Sequence, residues 1–160
     1  MKMQAKLPKE FLGLAGEYAV ASELCRRGVY AQLTLGTHKQ TDILVETEDH
    51  MLRVSVKTKQ GNEWPRVDGP DDFLVLVDLN GKHERDRPEF YILDITDWNQ
   101  LIDDELQRNQ GSTRDERGRF TYRDGFKGLN IKPEKVRTML EQWHEQWHKI
   151  VSHSASSDKP

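Results

Sequence analysis

The sequence predicts an α/β (α+β) fold, with a mixed central β-sheet of about five strands flanked by helices. Three observations lead there. Phe73-Leu74-Val75-Leu76-Val77 is a continuous apolar run, the pattern of a central strand covered on both faces. Beside it, Leu52, Val54 and Val56 alternate with Arg53, Ser55 and Lys57 at a period of two. Stretches of helical spacing open and close the chain.

Each element follows in order. Residues 1–8 lack periodicity and read as a flexible lead. A helix is expected from Lys9 to Arg27, stopped by Gly28. Val29–Leu35 reads as a strand and residues 36–40 as a polar loop. Thr41–Val45 and Leu52–Lys57 read as two strands of a hairpin joined by the polar residues 46–51. Two prolines and two glycines make 60–72 a long loop. Asn80-Gly81 marks a turn, Glu89–Leu93 returns as a strand, and Thr96 caps a short helix to about Leu106. Residues 107–128 are charged, glycine-punctuated and without clear period. Pro133 suits the first turn of a closing helix that reaches Val151, and 152–160 read as a disordered tail. Residues 9–151 are thus expected to form one domain.

A chain of 160 residues suits one core of ordinary size. Its net charge of −3 argues against a sequence-blind DNA coat but leaves room for a local basic groove. Residues 1–66 carry ten Lys/Arg against eight Asp/Glu, whereas 67–127 carry nine against fifteen. Cys25 is the sole cysteine, so no intramolecular disulfide forms and a reducing compartment is the default. Its spacing from Leu14, Tyr18 and Ala21 places it on the apolar side of the first helix as a small core residue. No apolar run approaches the ~20 residues that span a bilayer. Glu17 interrupts the apolar start at 11–16 too early for a secretory signal, so the expected location is cytoplasmic.

Chemistry concentrates between Glu17 and Lys57. On a helical wheel Glu23, Arg26 and Arg27 define the wet side, and Glu17 falls opposite them, between Leu14, Ala21 and Leu24. An acid facing a core needs a cation, a hydrogen-bond cage or a raised pKa. If the hairpin turns symmetrically about Glu48 and Asp49, Val45 faces Leu52 and Asp42 faces Ser55. Asp42, Ser55 and Lys57 then share one side of the sheet, with Lys57 a diagonal neighbour of Asp42. Carboxylates and a lysine so gathered suit a magnesium- or manganese-dependent phosphodiesterase. Magnesium takes oxygen ligands, keeps waters, and often uses one or two carboxylates plus a substrate phosphate. Asp42 would be the principal ligand, Glu17 would reach the ion directly or through water, and the Val56 carbonyl would add a third oxygen. Lys57 would position the attacking water and offset charge on the scissile phosphate. Arg53 and Lys59 share the face of Lys57 and are candidate phosphate contacts, and Gln60 can reach in from the following loop.

The ordered succession of Gly16-Glu17-Tyr18-Ala19-Val20-Ala21, Thr41-Asp42-Ile43-Leu44-Val45 and Val54-Ser55-Val56-Lys57-Thr58 resembles the PD-(D/E)xK nuclease superfamily, with its restriction-endonuclease-like fold. The likeness is to small bacterial members whose third motif reads Gln-Val-Lys or Glu-Val-Lys, and it spans about Phe11 to Asp78. It implies metal-dependent hydrolysis of DNA, with Asp42, Glu17, Ser55 and Lys57 at the site, and it extends to a homodimer, since many such nucleases pair to cut two strands. Ser55 departs from the pattern, standing where the family places glutamate or glutamine. The long loop after Lys59 departs too, where the family often has a helix. The departure at Ser55 admits a second expectation, a non-catalytic module of the same fold that binds nucleic acid or protein.

Two further patterns compete. His144-Glu145-Gln146-Trp147-His148 matches the H-E-x-x-H of zinc peptidases, but only twelve residues follow it. An amphipathic closing helix with Val136, Met139, Leu140, Trp143, Trp147 and Ile150 inward is the expected outcome. Arg114, Arg117, Arg119 and Arg123 interleave with Phe120 and Tyr122 as a nucleic-acid loop would, but Asp115, Glu116 and Asp124 dilute its charge.

Overall fold

Alternation along one long strand organises the molecule. The computed structural model describes residues 4–35 and 41–154. After α1 (Lys9–Arg26) come β1 (Ala31–Leu33), β2 (Ile43–Glu46) and β3 (Met51–Lys59). Within β3, Leu52, Val54 and Val56 are buried while Arg53, Ser55 and Lys57 are not. Then follow β4 (Glu63–Pro65), β5 (Phe73–Asp78), β6 (Glu89–Asp94) and α2 (Ile95–Arg108). The chain closes with β7 (Thr113–Arg114), β8 (Phe120–Thr121), β9 (Gly128–Asn130), α3 (Glu134–Glu141) and α4 (His148–Val151).

Five strands form a mixed sheet in the order β1-β2-β3-β5-β6, antiparallel throughout except for the parallel pair β3–β5. The expected fold class is therefore observed: α+β, with a five-stranded mixed sheet flanked by helices. The fully buried run Phe73–Val77 is β5, one strand in from the edge, which explains why it has no polar face. Val45 sits opposite Leu52, the register expected from a symmetric hairpin.

One hydrophobic cluster lies on each face. Val20, Ala21 and Leu24 of α1 pack on Ile43, Val45, Val54 and Val56, joined by Trp147 and Ile150. On the other face Leu74, Leu76 and Leu93 meet Trp98, Leu101 and Ile102 of α2, and Trp64, Phe120 and Leu140. Burying one such side chain contributes roughly 1.5–3 kcal/mol.

Several expectations need correction. The inward face of α1 is Gly16, Glu17, Val20, Ala21, Glu23 and Leu24. Leu14 and Tyr18 point outward, and Cys25 is exposed rather than in the core. Glu23, expected on the wet side, is buried because Arg27 (2.6 Å) and Arg87 (3.0 Å) both pair with it. Asp94, not Thr96, caps α2, in a reciprocal box with Asp97. Part of the expected 60–72 loop is β4, which pairs with β9, and β7 and β8 form a small hairpin within 107–128.

The closing helix is not continuous. It breaks after α3, and Glu145 turns with a φ of 56°. Residues 143–145 instead line the free edge of β6, through Ile92 N–H to the Trp143 carbonyl (3.0 Å) and Glu145 N–H to the Phe90 carbonyl (2.9 Å). Satisfying an otherwise bare sheet edge outweighs continuing the helix. The expectations of a polar loop at 36–40 and a disordered tail fall on residues outside the described ones, apart from 152–154 at the tail's start, as do the first three residues of the lead. No helix among the described residues is long and apolar enough to cross a membrane.

Candidate active site

The site lies where β2 stops and β3 continues. Asp42, just before β2, donates its N–H to the Val54 carbonyl (3.2 Å), one residue out of the Ile43–Val54 register, so the regular pairing ends in a bulge with Asp42 against Val54 rather than opposite Ser55 as expected. Its carboxylate Oδ2 accepts the Val56 N–H at 2.7 Å. In an antiparallel ladder the N–H and C=O of one residue point toward the same neighbouring strand. The Val56 carbonyl therefore points to the same edge as the Asp42 carboxylate. Beyond Val54 the β3 strand has no β2 partner in register among the described residues, while the opposite edge is bonded to β5 through Lys59.

Asp42, Ser55 and Lys57 line one cavity of about 600 Å³, with Asp68 and Asp71 from the loop before β5 and Arg114 and Arg117 from the β7–β8 hairpin across it. Lys57 also lines a second cavity of about 740 Å³, along the last residues of β3. The structure thus brings three of the four expected side chains into one space.

Glu17 is buried on α1 and, among the described residues, lines neither cavity. Its neighbour Gly16 explains how near the helix comes. A Cβ built on Gly16 would lie 1.7 Å from Thr58 Oγ1, so only glycine lets α1 touch β3 at the residue after Lys57. The cluster on the α1 face contains Val54 and Val56, whereas Ser55 and Lys57 alternate to the other face. Glu17 thus approaches the strand from the side opposite Lys57.

The expected phosphate contacts are dispersed. Arg53 lies toward the hairpin end of β3, where it faces Asp71 at 3.9 Å. Lys59 is 1 % exposed, paired with Asp78 at 2.8 Å and set 4.7 Å from the centre of the Trp64 ring. Burial pushes its ammonium pKa below the usual lysine value, against the raising effect of Asp78. Gln60 is committed to the lead: its side-chain oxygen accepts the Leu7 N–H (2.8 Å) and its nitrogen donates to the Ala5 carbonyl (3.2 Å). In the basic loop, Phe120 is fully buried and Arg119 pairs with Asp68 at 2.7 Å, which leaves Arg114 and Arg117 to face the cavity.

The H-E-x-x-H segment straddles the helix break, so its histidines are not ligands one turn apart on a helix. His144 instead joins Glu89 and Glu145 in a group whose candidate ligand atoms lie within 4.8 Å of one another, the one such trio among the described residues. Each member is already engaged. Glu89 holds Lys82 (2.8 Å) and His144 (2.6 Å), and Glu145 binds Arg87 through both oxygens. Those cations oppose a dication, and the network instead pins residues 143–145 to β6. Asp68, Lys9 and Lys132 escaped the sequence reading, since nothing in their spacing marks segments that only the fold brings together.

No protein-family model and no curated protein sequence matches the chain. The solved structure of a bacterial homing endonuclease, I-Ssp6803I, is similar at 17 % identity and a TM-score of 0.49, over 92 % of this chain and 94 % of that one. A likeness at that level carries no argument about activity.

Proposed function

We propose that the protein is a metal-dependent nuclease of the PD-(D/E)xK type that hydrolyses DNA phosphodiester bonds. The observation that carries this reading is the shared cavity of Asp42 and Lys57, with the Asp42 carboxylate fixed by the Val56 N–H. The donor set fits magnesium or manganese, because a carboxylate and a backbone carbonyl face one edge and both are hard oxygen ligands. Asp42 and the Val56 carbonyl would hold the ion, without the Glu17 carboxylate that the sequence suggested. A bound divalent ion supplies Lewis acidity at a phosphate oxygen and lowers the pKa of water.

The chain's own groups do the rest. The Val56 N–H holds the carboxylate in place before substrate arrives, so no reorganisation is needed during reaction. Lys57 donates to a non-bridging phosphate oxygen and offsets the charge that builds as water attacks. Ser55 offers one hydroxyl, enough to hold a water but too short to act as the family's carboxylate does. That shortness favours the second reading, a non-catalytic module that binds nucleic acid or protein without turnover.

Strand cleavage with purified protein in magnesium, then manganese, separates the two. Asp42→Asn keeps an acceptor for the Val56 N–H but removes the charge, and it should lower cleavage at least ~100-fold with the fold intact. Cleavage unaffected by both Asp42→Asn and Lys57→Met would mark a contaminant and end the nuclease assignment. DNA retention without turnover in either metal would establish the binding module.

A further inference from the structure

The cavity of about 740 Å³ on the far side of Lys57 carries an unbalanced charge. Its walls include Lys6, Lys9, Lys57 and Lys132, with Glu63 the single carboxylate. Among the described residues none of these four lysines makes an ion pair, whereas the fifth, Lys59, is neutralised by Asp78. In a protein of net charge −3, so many unanswered cations around one cleft create a local positive field.

The lysines are held there by backbone contacts. Lys6 lies between Ala5 and Leu7, both bonded to the Gln60 side chain. Lys9 begins α1, and the Lys132 N–H donates to Asn130 Oδ1 at 2.9 Å. The cleft volume falls in the ~300–1,000 Å³ range of sites that enclose a small ligand, too little to enclose a duplex. Trp64 is fully buried, so it presents no open platform on which a base could stack.

We propose that this cleft is a track for the phosphodiester backbone of one nucleic-acid strand, read without regard to sequence. Lys57 meets the phosphate at its inner end, and Lys6, Lys9 and Lys132 meet those beyond. The assignment deepens the nuclease reading and rests on it for the position of the scissile phosphate.

The test is fluorescence anisotropy of a short labelled oligothymidylate with the full chain in EDTA, where no turnover occurs. The double variant Lys9→Gln/Lys132→Gln should bind about tenfold more weakly, and its plot of log affinity against log salt should flatten by about 1.4, roughly 0.7 per lysine. Each single variant should give half that flattening. Both positions are exposed, so the thermal midpoint should not move. Arg53→Gln, at the other end of β3, should change nothing. The proposal is overturned if the wild-type chain does not retain the strand, if the double variant keeps the full slope, or if Arg117→Gln takes the loss instead. Absence of magnesium-dependent cleavage alongside the flattened slope would remove the nuclease reading and leave the track standing.

Discussion

On one side of Lys57 the cavity wall carries Asp42, Asp68, Asp71 and Glu116 against Arg114 and Arg117, with Arg114 answered by Asp103 at 3.7 Å. On the other side the wall carries Lys6, Lys9 and Lys132 against Glu63 alone. The oxygen-rich side suits a hard cation and the nitrogen-rich side suits a polyanion. Phosphodiester hydrolysis needs both within reach of one side chain, and Lys57 is the residue common to the two walls. Neither half would be informative alone, because acidic and basic patches occur on most soluble surfaces.

Lys57 and Lys59 repeat the contrast within one strand. They share a face of β3, yet Lys57 is partly open and makes no ion pair among the described residues, whereas Lys59 is enclosed by Asp78 and Trp64. Lys57→Met should therefore cost at least ~100-fold in cleavage and leave the thermal midpoint in place. Lys59→Met strands the Asp78 carboxylate and should destabilise the fold by about 3 kcal/mol in a urea titration, with activity per folded molecule retained. A swap of these outcomes would break the division between the two lysines.

The acidic cavity can be sharpened next. Ser55→Glu places a second carboxylate in the cavity that Asp42 lines and should raise metal affinity or cleavage about tenfold. No change in either would remove residue 55 from the site. The smallest effect concerns pH. Burial acts to raise the Glu23 and Glu145 pKa values, but hydrogen bonds and charge from Arg87, helped by Arg27 and Trp147, hold both below the ordinary carboxylate value. Such depressed carboxylates stabilise the fold above the unfolded-state pKa of about 4.3, and that contribution is lost as pH falls through the lower folded-state values. In Arg87→Gln the depression shrinks, so acid unfolding followed by circular dichroism should begin at higher pH, with cleavage near neutrality unchanged.

Much of this arrangement was legible from residue order. The period-two pattern of 52–57 put Ser55 and Lys57 on one face, because a strand has only two faces, and Asp42 lines the same cavity although its pairing is one residue out of the symmetric register. The run Phe73–Val77 marked the covered strand for the same reason. Elements of two or three residues, such as β4 and β7 to β9, are shorter than any periodicity and form only because distant segments pair. The wheel misjudged α1 because Leu14 and Tyr18 lie on an outer face, while ion pairs bring Glu23 inward. The break at Glu145 answers a need of β6, some fifty residues away in the chain. The basic cleft was hidden for a related reason, since Lys6, Lys57 and Lys132 meet only in space.

Crystals soaked in manganese, with anomalous scattering collected, test the central claim most directly. The account predicts a peak bounded by the Asp42 carboxylate and the Val56 carbonyl. A peak at Glu89, His144 and Glu145 with none beside Asp42 would contradict it.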